Sequence, residues 1–286
     1  MIVHAEPVMG TVVSFHLADD GASRALGDAV AWLHDVDERF SPYLPDSEVT
    51  RLADGRLAET DVDPDLREVL LLVDRASADS EGAFDARRWR ADGRFDPSGL
   101  VKGWAVERAA RQVAATTGDA FAIDAGGDVI VRTGPSRSAP WRIGIRHPDR
   151  PDRVAAVLQL GDGAVATSAA YERGAHIRDP RDGRVPSDVR SMTVVGPDLT
   201  WADTFATAAY VMGRDGWAGS RVIPVTTPSR SPGTTRSSGH AGWTATSSPD
   251  RVVPVPQPRT ALATRLATQA TPCRSCHGAD RYGRTP

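Results

Sequence analysis

Apolar residues recur along the first 212 positions at two spacings, and the two spacings alternate irregularly. Residues 8–17 alternate apolar and polar side chains and are rich in Val, Phe and Thr, which predicts a strand. Leu26, Ala29, Val30, Leu33, Val36 and Phe40 fall on one helical face, with Ser23 as a capping residue. Leu66, Val69, Leu70 and Val73 mark a second helix over 64–77, with Pro64 where a first turn tolerates it. Residues 102–116 predict a third helix, built on Trp104, Ala109 and Val113. Strand-like runs follow at 121–124, 129–132, 141–146, 154–160, 164–167 and 192–195, and 201–212 closes as a helix. Adjacent strands between helices predict an α+β fold with mixed sheets and packed helices, not a regular βαβ winding.

The pattern stops near residue 219. The stretch 219–286 holds nine Arg against two Asp and carries nine prolines, with a dense Ser/Thr population. It has too little apolar surface to offset its ordering entropy. The expectation is a domain over 1–218 and a Pro/Ser/Thr/Arg-rich tail over 219–286, disordered or read out of frame after a frameshift near 214–220. The whole chain has a net charge of −3, so no global basic field points to nucleic acid. No apolar run is long enough for a membrane span. The opening residues Met1 to Glu6 lack the basic and apolar regions of a signal peptide, which makes the cytoplasm the expected location.

Composition adds one pointer to chemistry. Arg occurs 33 times and Lys once, at Lys102, and there is no Asn. Arg serves well on a solvated surface, but its planar fork does not replace a compact ammonium where geometry requires one. Lys102 lies in Asp96-Pro97-Ser98-Gly99-Leu100-Val101-Lys102-Gly103-Trp104, which reads as a strand-to-helix passage where an ammonium and free N–H groups suit a phosphate. Asp124-Ala125-Gly126-Gly127-Asp128 reads foremost as a hairpin turn. Asp203 and Thr207 are i and i+4 on the closing helix, an oxygen pair suited to magnesium shared with substrate phosphates. Phe84 and Asp85 follow a small flexible approach, and His176 stands beside a polar turn as a candidate general base. Cys273-Arg274-Ser275-Cys276-His277 matches the c-type haem attachment string, but no haem-enclosing fold precedes it.

The order of these motifs is more specific than any one of them. Met9-Gly10-Thr11, Phe40-Ser41-Pro42-Tyr43, Gly82-Ala83-Phe84-Asp85, Asp96 to Gly103, Ala125-Gly126-Gly127-Asp128, Ala166-Thr167-Ser168, His176-Ile177-x-Asp179-Pro180 and Ala202-Asp203-x-x-Ala206-Thr207 run collinearly over residues 3–214. This order resembles the ApbE-type FAD:protein FMN transferase family. The resemblance implies a magnesium-dependent enzyme with FAD as substrate. It would pass FMN to a threonine hydroxyl of an acceptor flavoprotein and release AMP. It also implies that Met9, Tyr43, Ala83, Phe84, Asp85, Asp96, Lys102 and Ile177 line the FAD site. Gly99, through its carbonyl, Asp203 and Thr207 would hold Mg2+, and His176 would assist proton removal. Two features depart from the family: Ala169 stands where Gly usually follows Thr-Ser, and the tail stands where further strands are expected. An FAD pyrophosphatase using the same metal site, and a flavin-binding protein without chemistry, are the alternatives.

Overall fold

The computed structural model describes residues 1–88, 90, 92–169, 177–213 and 222–226, all of them within the unit Met1–Val252. The chain opens with β1 (Ile2–Val8) and β2 (Thr11–Leu17), followed by helices α1 (Ser23–Phe40), α2 (Glu48–Ala53), α3 (Pro64–Asp79) and α4 (Ser98–Thr117). Strands β3 (Phe121–Ala125) and β4 (Asp128–Arg132) come next, then β5 (Trp141–His147), β6 (Arg150–Leu160), β7 (Gly163–Ala169) and β8 (Val189–Gly196). Helix α5 (Leu199–Met212) and strand β9 (Val222–Thr226) complete the described elements. The main sheet has the order β1-β2-β3-β4-β7-β8-β9, with every neighbouring pair antiparallel. Strands β5 and β6 form a separate hairpin. The fold is α+β, as the sequence predicts.

The two-residue period of the central strands sorts their side chains to opposite faces. Ile123, Ala125, Ile130, Ala164 and Ala166 face the large core shared with the helices. Ala122, Val131 and Val165 face the other way, onto Ile145, Leu158 and Leu160 of the β5–β6 hairpin. The sheet is therefore covered on both sides along its centre.

Helix α4 is the hub. Trp104 packs edge-on against Trp32, with ring centroids 5.4 Å apart, and lies 5.3 Å from Phe40. Its indole N–H donates to Glu68 Oε1 at 3.0 Å, and Trp32 donates to the Ala105 carbonyl at 3.0 Å. These contacts anchor α4 to α1 and α3. On its other side α4 meets α5. Glu107, buried, accepts from the Leu199 N–H at 2.9 Å and so satisfies one of the free amides at the start of α5. Arg111 bridges Glu107 and Asp198 at 3.1 and 2.8 Å.

Four expectations change. Residues 8–17 are not one strand: the chain reverses at Met9-Gly10, where both residues have positive φ (53° and 67°). Two-residue hairpin turns use such angles, and only Gly10 signals it, because Met is an unusual turn residue. Ser23 does not cap α1; Asp19 caps the short turn before it, accepting from Gly21 N–H. Helix α4 begins at Ser98, so Lys102 lies in its second turn and not at a strand-to-helix passage. Lastly, residues 222–226 of the supposed tail form β9, paired with β8. Val222, Ile223, Val225 and Thr226 are β-branched, and Pro224 is tolerated in a strand with a single described neighbour. The rest of 219–286 lies outside the described residues, as does the Cys273/Cys276/His277 string.

The α4–α5 contact depends on Gly103. A Cβ there would stand 2.7 Å from the Leu199 carbonyl oxygen and 2.9 Å from Asp203 Cβ. Gly103→Ala is therefore expected to destabilise the protein by about 1–3 kcal/mol, read as a lowered midpoint in urea unfolding with little change in slope.

Candidate functional site

At the seam between α4 and α5, three charged side chains converge. The Lys102 ammonium is hydrogen-bonded to Asp128 Oδ2 and lies 3.4 Å from Asp203 Oδ2. Both carboxylates are buried, and the lysine side chain is 26% exposed. Burial alone would depress the ammonium, but Asp128 and then Asp203 outweigh it and hold Lys102 above its usual range. Asp203 is also raised, which for a carboxyl favours the neutral form. Burial pushes its carboxyl from 3.8 up to about 7, with Asp128 adding to the rise and Lys102 and the Gly103 N–H opposing it. Asp203 Oδ2 has no hydrogen-bond partner among the described residues.

The surroundings come from distant parts of the chain. Asp128 is the first residue of β4, after a turn in which Gly126 and Gly127 have φ of 64° and 96°. This is the hairpin the sequence predicts. Gly127 N–H donates to Asp124 Oδ1 at 2.7 Å, while burial raises the Asp124 carboxyl. Asp128 Oδ1 accepts from the Thr167 N–H at 2.9 Å, which joins β4 to β7. The next residue, Ser168, shares a hydrogen bond of 3.1 Å with Thr207, one turn beyond Asp203 on α5. The Gly126 turn also presses on Thr11: a Cβ on Gly126 would lie 2.4 Å from the Thr11 hydroxyl. That contact brings the Met9-Gly10 reversal beside the turn that carries Asp128, and Asp37 holds the Met9 amide at 3.0 Å.

Of the residues singled out by sequence, Lys102 and Asp203 meet directly, and Thr207 lies one turn beyond Asp203 on α5. Gly99 lies three residues before Lys102 on the same helix, with the buried Phe84 ring against its Cα; a Cβ there would be 3.2 Å from Phe84 Cε2. Phe84 thus shapes the start of α4, and Ala83 beside it is buried. Asp96, also buried, accepts from Ser98 N–H at 3.0 Å and lies 3.7 Å from Arg90. Asp85 accepts from Arg87 N–H at 2.9 Å. Ile177 is buried in the main core, and Arg181 of its loop reaches over Gly82. Tyr43 is 83% exposed, with none of the site's polar groups bonded to it among the described residues. His176 lies outside the described residues. Asp128 and Ser168 are the residues whose roles the sequence does not disclose. A carboxylate just past a Gly-Gly turn was the only signal for the first, and a hydroxyl in an alternating strand for the second.

Among the described residues no trio of His, Cys, Asp or Glu is placed to hold a metal. The oxygens present suit a hard cation that takes its remaining ligands elsewhere, and the buried Asp203 oxygen, ion-paired with Lys102 but lacking a hydrogen bond, fits that role. No helix among the described residues is long and apolar enough to cross a membrane.

These features define an α+β protein with an oxygen-lined, lysine-bearing site at the junction of two helices and the main sheet. The chain belongs to the ApbE family, whose model matches residues 9–88 and 87–219. It is 32% identical over 130 residues to the FAD:protein FMN transferase of Vibrio cholerae, covering 42% of this chain and 39% of that protein. It is 30% identical over 176 residues to the enzyme of the same name from Treponema pallidum, covering 53% and 49%. The chain thus spans half or less of the length of these two relatives. The match to the Haemophilus influenzae protein is 23% identical over 274 residues and covers 72% of this chain and 79% of that protein. The fold is shared with the crystal structure of the ApbE protein from Thermotoga maritima (TM-score 0.68, 22% identity, 79% of this chain and 94% of that one). It is shared equally with the flavinyl transferase ApbE of Pseudomonas stutzeri in its apo form (TM-score 0.67, 23% identity, 80% and 91%).

Asp203 has a consequence for stability. A carboxyl whose folded value lies above its unfolded one binds its proton more tightly when folded. Its contribution is full below about pH 4 and is lost as pH rises through about 7. In buffer free of divalent cations, Asp203→Asn is expected to flatten the fall in stability across that window, measured by urea unfolding at a series of pH values.

Proposed function

We propose that this protein is a magnesium-dependent flavin transferase that moves FMN from FAD to a threonine hydroxyl of an acceptor flavoprotein and releases AMP. The relatives' names support the flavin chemistry. The observation that carries the metal dependence is Asp203: a buried carboxylate with one oxygen lacking a hydrogen bond, on the same helical face as Thr207. Asp203, Thr207 and the Gly99 carbonyl would hold the magnesium ion. When bound, magnesium supplies positive charge against the pyrophosphate oxygens.

The chain's own residues do the rest. Phosphoryl transfer depends on positioning and charge neutralisation more than on covalent help. Lys102 offers a fixed ammonium beside the metal-binding face, held in place by Asp128. Ser168 orients the Thr207 hydroxyl. Met9, Tyr43, Ala83, Phe84, Asp85, Asp96 and Ile177 form the proposed flavin and adenosine surroundings, and His176 would take the proton from the acceptor threonine.

The test is incubation with FAD, magnesium and a threonine-bearing acceptor domain, followed by mass spectrometry. An FMN adduct on the acceptor, dependent on magnesium, is the expected result. AMP release at the same rate without acceptor would identify a pyrophosphatase instead, and retained FAD with no AMP would identify a binding protein. Asp203→Ala is expected to abolish the adduct while the protein stays folded. Lys102→Arg should lose at least about tenfold in rate, because a planar fork does not reproduce a point charge in this confined position.

A further inference from the structure

Asp128 has no part in the metal reading above, yet it is the most firmly bonded side chain at the site. Its carboxylate is 4% exposed, and both oxygens are engaged within the chain: Oδ1 by the Thr167 N–H, Oδ2 by Lys102. Asp203 differs. Its Oδ2 is buried and 3.4 Å from the same ammonium, but lacks a hydrogen bond among the described residues. One ammonium thus faces two buried carboxylates, hydrogen-bonded to Asp128 and ion-paired at the longer distance of 3.4 Å with Asp203. Asp124 stands nearby but is committed to the Gly127 N–H.

We infer that Asp128 is a positioning residue for the divalent-cation site: by hydrogen-bonding Lys102, it keeps the ammonium from closing fully on Asp203 and leaves that carboxylate more open to the cation. The inference rests on the metal reading given under Proposed function. Its physical content is competition. An ammonium and a divalent cation both favour a buried carboxylate, and a carboxylate already neutralised by a lysine offers a metal little. Without the charge on Asp128, Asp203 becomes the sole carboxylate within ion-pair distance of Lys102 among the described residues. The lysine would then close on Asp203, and a cation would have to displace it.

Asp128→Asn isolates this effect. The amide oxygen can still accept from Thr167, so the link from β4 to β7 and on to Ser168 and Thr207 is kept, while the charge that holds Lys102 is removed. The probe is Mn2+ alone, titrated into the full chain and followed by electron paramagnetic resonance. Thermal unfolding of each variant is recorded in the absence of metal. Asp128→Asn is expected to bind Mn2+ about tenfold or more weakly, as expected for losing a close charge in a partly buried site. The double variant D128N/K102M is expected to recover most of that loss, because nothing then competes for Asp203. K102M alone is expected to bind Mn2+ at least as tightly as the unmodified protein.

Unchanged Mn2+ affinity in Asp128→Asn overturns the inference. So does a double variant no better than D128N, which would make Asp128 a direct ligand or a purely structural group. If D128N does not fold, K102M decides: weaker binding than the unmodified protein overturns the inference, and equal or tighter binding supports it. Failure of the unmodified protein itself to bind Mn2+ would overturn the metal reading and this inference with it. That outcome is distinguishable because it appears before any substitution is made.

Discussion

The close approach of α4 and α5 at Gly103 is the constraint on which the site depends. With no Cβ at that position, the Asp203 Cβ and the Leu199 carbonyl come up against the α4 backbone. One residue earlier on α4, Lys102 then falls within 3.4 Å of Asp203. The approach is held from both sides. The Trp104 cluster fixes α4 to α1, and Glu107 fixes the start of α5 by capping it. The glycine sets the distance, and the tryptophan and the buried glutamate set the register. A small residue alone would permit the contact without choosing which turn of α5 faces Lys102.

Charge follows from that geometry. Burying one ammonium with two carboxylates leaves a negative charge where solvent cannot screen it well, an arrangement that costs stability unless something positive completes it. A group optimised for folding alone would be neutral, as the Glu107 cluster is closer to being: there Arg111, the Leu199 amide and Arg132 all point at one carboxylate. The two clusters lie on the same helix, less than two turns apart. Their contrast separates a carboxylate used as a staple from one left open.

Much of this was legible in the sequence, and the failures have physical causes. The helices with long apolar stripes and the central strands follow from periodicity. The solitary lysine drew attention to α4 and the i, i+4 pair Asp203 and Thr207 to one face of α5, and the fold brings Lys102 within 3.4 Å of Asp203. What was not legible was pairing across the sheet. That Asp128 would meet Lys102 depends on β4 lying beside β7 and under α4, which no local spacing reveals. The Gly-Gly turn read correctly as a hairpin, and that reading concealed the role of the carboxylate that ends it. The Met9-Gly10 reversal was hidden because alternation runs on unbroken through a two-residue turn. Strand β9 was hidden by its setting: four β-branched residues around a proline, inside a stretch whose average composition argues against structure.

The position of Lys102 also gives a physical reason for a lysine in a chain whose other basic side chains of this kind are all Arg. At a helix start, an arginine fork could have reached the free amides' ligand nearly as well. In the second turn of α4, the ammonium instead fits between two carboxylates carried by different elements, one on β4 and one on α5. A guanidinium there would engage one carboxylate with two parallel hydrogen bonds and would be too broad to leave the other open. A compact ammonium thus suits a position shared between two carboxylates at unequal distances. That is a property of the seam between α4 and α5 and not of either helix by itself.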